Sequence, residues 1–473
     1  MILNSFSFLV FFAIIFILFW KISKKYQWIL LLLAGYYFYA SWKPAYLGLI
    51  LLTTLINYYC AIAIYRQAHR KRRYLLVALF LNLSALFIFK YFNFFSLTLN
   101  QVLKVNLPQF KFLLPLGISF YTLQVIGYLF DVYKGKIQPE KHLGFFALFV
   151  CFFPQLSAGP IERGGALLPQ LKKQYSFDYV KVAGGLKLFT YGLFKKMVIA
   201  DNLGIVVDRV FNSLPEYKGL SLVLVVFFYT WQIYMDFSGY TDMARGVGKM
   251  LGIELMENFN FPYFADSVRD FWKRWHISLT SWLRDYIYIP LGGNRHGWIK
   301  MLLSTILVFT VSGLWHGAGI HFVIWGTLNG IWMVGERIVQ FRFGKVLRVP
   351  RILKIAYAYV MISIFWIFFR AVNLSDALYI LRNSIMGIKN FIQPNYIWAS
   401  LNQLFIFNRV EMIITFSLLI IVITGEFIRT KISLEGILSK QPAVARFVFF
   451  CIVAFLIIQL RNSDIKEFIY TRF

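Results

Sequence analysis

The strongest constraint on this chain is its succession of apolar blocks of membrane length. A helix needs about 20 predominantly apolar residues to cross the hydrocarbon core of a bilayer. Such stretches occur near 5–20, 28–42, 45–65, 74–98, 112–132, 143–157, 184–203, 219–240, 300–338, 352–371, 411–429 and 444–460. The block at 300–338 is long enough for a helical pair or one bent span. Of 473 residues, 59% are hydrophobic and 15% charged, and the mean hydropathy is +0.63. A soluble domain carries about 25% charged residues, and this much apolar surface cannot hide in a soluble core. The sequence predicts an all-α polytopic membrane protein with about ten to twelve transmembrane helices, forming one integral-membrane domain over 1–473.

The same figures exclude a disordered chain, collagen and a coiled coil. Three cysteines, Cys60, Cys151 and Cys451, lie in apolar runs and read as small buried hydrophobes. There are 49 Lys and Arg against 21 Asp and Glu, a net charge of +28. The basic residues fall between spans, where they set orientation and meet anionic head groups, so no nucleic-acid partner is expected. Placing Lys21 to Lys25 and the cluster Arg66, Arg70, Lys71, Arg72, Arg73 in the cytoplasm puts the N-terminus outside, with a hairpin turning outside at Lys43-Pro44. The first stretch lacks a basic region before it and a small-residue cleavage site after it, and reads as a retained span.

Two more polar stretches, near 160–183 and 254–299, adjoin or contain Pro154, Gly159, Pro160, Pro262, Pro290, Gly292 and Gly293. Irregular backbone at membrane depth is tolerated only inside protein or along a cavity, so these segments are expected to be re-entrant or interfacial.

The six histidines are His69, His142, His276, His296, His316 and His321. His316 lies within an apolar block among Gly313, Gly317, Ala318 and Gly319. Such an ionisable group is either functional or satisfied by one interhelical hydrogen bond. His276 follows Ser267 and Asp270, which form a capping-box pattern, and Trp272, Trp275, Leu279, Trp282 and Tyr286 repeat at helical spacing. The pattern predicts one amphipathic helix at the membrane interface, with Asp270 and Arg274 paired at i,i+4. Asp236 ends an apolar run and needs a partner, for which Arg245 and the guanidinium-rich segment after it are candidates. His316 and His321 are about 140° apart around a helix, and neither H-E-x-x-H nor a Cys pair accompanies them, so no metal site is expected. Neither a G-x-S-x-G elbow nor a phosphate-cradling loop is present.

Several segments together closely resemble the membrane-bound O-acyltransferase family. They are Leu116-Gly-Ile-Ser-Phe-Tyr121-Thr, Phe153-Pro-Gln-Leu-Ser-Ala-Gly-Pro-Ile161, Tyr234-Met-Asp-Phe-Ser-Gly-Tyr-Thr-Asp242, Phe271-Trp-Lys-Arg-Trp-His276-Ile-Ser-Leu279, Trp282-Leu-Arg-Asp-Tyr286, Tyr288-Ile-Pro-Leu-Gly-Gly-Asn-Arg295, Ser312-Gly-Leu-Trp-His-Gly-Ala318 and the ending Phe468-Ile-Tyr470. The similarity is densest over 115–335. It lies within the bacterial branch, nearer the alginate O-acetylation side than the teichoic-acid D-alanylation side.

The resemblance implies a helical ring around a funnel-like core, with the family's essential histidine falling on His316 and its second signature histidine on His276. It implies an O-acyltransferase of the cell inner membrane with no bound cofactor, fed by acetyl-CoA or an acyl-carrier thioester. It further implies a polysaccharide acceptor and an accessory extracytoplasmic O-acetyltransferase. A histidine buried among apolar helices is neutral and can take a proton from a hydroxyl, which suits His316 as general base. His276 would position donor or acceptor, or donate to the developing oxyanion. Asp236, Asp242, Trp315, Ser312 and Arg274 are candidates to line the substrate or donor path. The competing readings are transfer of D-alanyl or another acyl group to a cell-envelope polymer, a transporter of an activated acyl group without bond chemistry, which predicts inverted repeats that are not evident, and a scaffold that has lost the reaction.

Overall fold

A computed structural model describes residues 1–110, 112–295, 297–343, 349–405, 409–429, 442–461 and 468; His296 and residues 469–470 of the C-terminal motif lie outside them. Among the described residues the regular elements are helices, with one isolated antiparallel bridge between Phe259 and Trp275. The N-terminal part comprises α1 (Phe6–Lys21), α2 (Gln27–Ala40), α3 (Leu47–Arg66) and α4 (Lys71–Leu86), which continues through a π-helical turn at Phe87–Tyr91 into α5 (Phe92–Leu103). Buried Asn57 and Asn82 exchange amide hydrogen bonds of 3.0 and 2.9 Å between α3 and α4. Such paired amides hold apolar helices together where hydrophobicity gives no preference between lipid and protein.

Next come α6 (Ile118–Tyr133), α7 (Leu143–Cys151), the single turn α8 (Phe153–Leu156) and α9 (Gly164–Leu171). The breaker-rich segment from Cys151 to Glu162 is buried throughout, as its irregular backbone requires. It lies against the start of α6, where a Cβ on Gly117 would meet the Leu156 carbonyl, and the Ser157 hydroxyl bonds that of Tyr240.

Helix α10 (Tyr179–Leu193) passes through a second π-helical turn, Phe194–Ala200, into α11 (Asp201–Asn212). The 31-residue α12 (Leu220–Met250) is the axis of the fold: 72% of its most apolar window is buried, against 28–44% in the other long apolar helices. It touches α10 backbone to backbone, since a Cβ on Gly192 would come within 2.5 Å of the Gly239 carbonyl.

The second polar stretch is not one helix. It folds as α13 (Val268–Arg274) and α14 (Ile277–Leu283), followed by a third π-helical turn at Arg284–Tyr288. The Ser267 hydroxyl accepts from Asp270 N at 3.1 Å, and Arg274 meets Asp270 at 2.8 Å, as expected. The helix breaks, however, at Trp275–His276, and the aromatic face packs inside the protein rather than at its surface: Trp272, Trp275 and Trp282 are all buried.

The block at 300–338 resolves into a hairpin, α15 (Trp298–His316) and α16 (Ile320–Phe343), with Gly313 against Gly326 at the crossing. It is followed by α17 (Arg351–Arg370), α18 (Leu374–Ser384), α19 (Pro394–Leu404), α20 (Arg409–Arg429) and α21 (Ala443–Leu460). Among the described residues six helices are long and apolar enough to cross a membrane, and Phe6–Lys21 and Phe447–Leu460 are shorter apolar helices. Of the remaining expected spans, those near 28–42, 112–132 and 143–157 form helices of 14, 16 and 9 residues, and that near 184–203 carries Lys187, Lys195, Lys196 and Asp201. The outward faces carry Leu33, Leu52, Phe80 and Ile421, each more than half exposed, as suits a protein dissolved in lipid.

Candidate active site

His316 is the last residue of α15, and His276 lies between α13 and α14. Their ring centroids are 6.4 Å apart, and both residues are at most 2% exposed. A group placed between two imidazoles so close lies within reach of both.

The break that aims His276 has a tertiary cause. Its backbone is left-handed, φ 44° and ψ 53°, a conformation that costs a non-glycine residue about 1–2 kcal/mol. The position is that of a helix N-cap, yet its own side chain does not cap. Asn258 does so from the preceding loop, accepting from Ile277 N at its carbonyl (3.0 Å) and from Ser278 N at its side chain (3.1 Å). The imidazole therefore turns inward, edge-on to Phe237 at 4.7 Å between ring centroids.

Around His316 stand Trp315 and Trp325, each 5.0 Å away between ring centroids, and Phe369 at 5.4 Å, all near edge-on. Trp315 faces both histidines, lying 6.0 Å from His276, and donates to the Ser119 carbonyl at 3.4 Å. Ser312 is buried one turn before His316. This dry aromatic wall would exclude water from a reaction between the rings.

The loop that presents Asn258 is itself held from another element. Glu162 accepts from Met256 N at 2.6 Å. Burial pushes its carboxyl up to about 7, with the hydrogen bond from Met256 and the nearby Arg163 and Arg245 opposing the shift.

The aspartates face elsewhere. Asp236 pairs with Lys196 at 2.7 Å, and Lys196 also meets Asp201 at 2.8 Å. Asp242 pairs with Lys195 at 2.5 Å, and Arg245 with Glu257 at 3.2 Å. The expected pairing of Asp236 with Arg245 therefore does not form, because nine residues along a helix is two and a half turns and places them on opposite faces. Helix α12 thus shows Phe237 to His276 and Asp236 to Lys196. Arg274, partly exposed, is engaged by Asp270. Among the described residues no three His, Cys, Asp or Glu side chains converge to hold a metal ion.

Sequence reading missed Asn258, Lys195, Lys196 and Lys90. Lys90 carried a signal: it is a lone cation within the apolar block 74–98.

The model of the membrane-bound O-acyltransferase family matches residues 140–374, which contain both histidines. The chain is also 40% identical to the "Peptidoglycan O-acetyltransferase" of Helicobacter pylori over 385 residues, 75% of this chain and 73% of that protein. This chain belongs to the membrane-bound O-acyltransferase family. Like other members it is an O-acyltransferase. It is 39% identical over 386 residues to a protein of Azotobacter vinelandii named "Probable alginate O-acetylase AlgI", covering 80% of this chain and 76% of that one. The "Teichoic acid D-alanyltransferase" of Bacillus subtilis is more distant within the family, at 30% identity over 228 residues, 46% of this chain and 58% of that one.

Proposed function

We propose that this O-acyltransferase moves an acetyl group from a cytoplasmic thioester, acetyl-CoA or an acyl-carrier thioester, toward hydroxyls of an extracytoplasmic polysaccharide. The observation that carries the reading is the pair of buried imidazoles, His276 and His316, held 6.4 Å apart in a wall of tryptophan and phenylalanine. The names of the alginate and peptidoglycan relatives support an envelope polysaccharide as acceptor and acetyl as the group.

In this mechanism His316 takes the proton of the accepting hydroxyl, whose oxygen attacks the thioester carbonyl carbon. His276 donates a hydrogen bond to the oxyanion as it forms. The C–S bond then breaks and the proton leaves on the thiol. An accessory extracytoplasmic O-acetyltransferase presents the polymer hydroxyl at this site.

The chain resides in the inner membrane with its N-terminus extracytoplasmic. Two observations support this orientation: the Met1 amine donates to Ser41, beside the Lys43-Pro44 turn, and the basic clusters fall at the opposite helix ends.

The test is the ester-linked acyl content of envelope glycans in wild type, a deletion strain and a His316→Ala strain at matched protein abundance. Loss of the same acetyl ester in both mutants is the expected result. Full ester content with His316→Ala at normal abundance removes His316 from the chemistry, and release of D-alanine instead of acetate replaces the acyl group proposed.

A further inference from the structure

The last carbonyls of any α-helix lack partners within it, and in α15 these belong to the residues that carry the chemistry. Two consecutive side chains of the π-helical turn at Phe87–Tyr91 take them up. The Tyr91 hydroxyl donates to the Leu314 carbonyl at 2.8 Å, and the Lys90 ammonium donates to those of Trp315 at 2.7 Å and His316 at 3.0 Å. The third Lys90 donor points to Ser119 Oγ at 3.4 Å, on the first turn of α6. The same ammonium lies 5.7 Å from the Trp315 ring centroid.

We infer that Lys90 and Tyr91 are positioning residues that cap the His316 helix from more than 220 residues away and fix the aim of its imidazole. The inference rests on the reading of His316 as general base.

Three features favour it. A cation suits the negative end of a helix dipole. A π-helical turn within an α-helix frequently marks a functional site, and this one places neighbouring side chains on one helix end. Finally, after His316 the chain leaves the helix at once, with Gly317 extended, so the last carbonyls of α15 have no partner within the helix.

The test is steady-state kinetics of purified variants in detergent or nanodiscs, with acetyl thioester as donor and a soluble oligosaccharide as acceptor. Lys90→Met removes the donors at similar length. Misplacing a reacting group by 1 Å costs roughly a hundredfold in rate, so kcat is expected to fall by about tenfold to a hundredfold with both KM values and the melting temperature little changed. Lys90→Arg, which keeps a cation, is expected to retain at least roughly a third of kcat.

Wild-type kcat in Lys90→Met, or a raised KM at unchanged kcat, overturns the inference, as does Lys90→Arg as inactive as Lys90→Met at normal abundance. Should Lys90→Met fail to accumulate, Tyr91→Phe decides. It removes one hydroxyl without changing shape, and a lowered kcat upholds the cap while wild-type kcat overturns it. His316→Ala run in parallel separates the two ideas: its activity refutes the base, whereas its inactivity beside a fully active Lys90→Met refutes only the cap.

Discussion

Replacing Lys196 by methionine keeps its length but removes the ammonium that two buried carboxylates share. The ammonium lies 2.7 Å from Asp236 and 2.8 Å from Asp201, and the three side chains are 3%, 2% and 8% exposed. Each contact is worth about 6 kcal/mol of gross attraction at an effective dielectric of about 20, most of it offset by desolvation of the ions. Removing one partner of such a buried network typically costs about 3–5 kcal/mol, because the remaining charge is stranded. Against a typical total stability of about 5–15 kcal/mol, Lys196→Met is expected to lower the melting temperature of the detergent-solubilised protein by about 3–5 °C and to reduce its abundance.

Removing the whole network is a different experiment. The triple variant Lys196→Met, Asp201→Asn, Asp236→Asn strands no charge and is expected to recover more than half of the lost stability, and activity with it. Thermal unfolding monitored by size-exclusion fluorescence reads all of these. A single variant melting within 2 °C of wild type, or a triple variant as unstable as the single, refutes the electrostatic reasoning. A triple variant that is stable but inactive would return Asp236 to the donor path.

Two further predictions concern stability. Glu162, with a folded-state pKa of about 7 against the ordinary 4.5, holds its proton more tightly in the folded protein. That contribution is fully present below about pH 4.5 and is lost as pH rises through 7, a total of about 3 kcal/mol. The melting temperature should fall between pH 5 and 8, and Glu162→Gln, which still accepts from Met256 N, should flatten that slope; parallel slopes would contradict the assignment. Within the α15–α16 hairpin, Gly313→Ala would place a Cβ 2.2 Å from the Phe322 carbonyl, whereas Gly335→Ala meets nothing within 4 Å. The first is expected to cost about 1–3 kcal/mol and most of the activity, the second to stabilise by about 0.5–1 kcal/mol; equal melting temperatures for the two would show that the hairpin does not pack as described.

What could be read from the sequence was local. Membrane-length blocks, the Ser267 cap and the Asp270–Arg274 pair all depend on residues within a few turns of one another, whereas the 300–338 block left a helical pair and one bent span open. The motif resemblance singled out His276 and His316 among six histidines. The break at His276 was not legible, because the 3,4 spacing of Trp272, Trp275, Leu279 and Trp282 runs straight through it. What breaks the helix is Asn258, from a loop that Glu162 holds in turn. Lys196 was missed as the partner of Asp236 for a related reason: the two stand on different helices 40 residues apart, and charge spacing along one helix cannot show such a pair.

Both histidines occupy helix ends, and a physical reason connects this to the role proposed for them. Within a helix in lipid every backbone group is satisfied by its neighbours, and side chains there project only from the helix surface. At a helix end several backbone groups must be satisfied from elsewhere. If the residue there spends its own side chain on that task, it is unavailable for chemistry. In this protein the task passes to distant residues: Asn258 supplies the amides of α14, and Lys90 with Tyr91 supplies the carbonyls of α15. The two imidazoles thereby stand with their ring centroids 6.4 Å apart. Substitutions of these capping residues should therefore depress turnover more than they depress abundance, whereas substitutions in the Lys196 network should do the reverse.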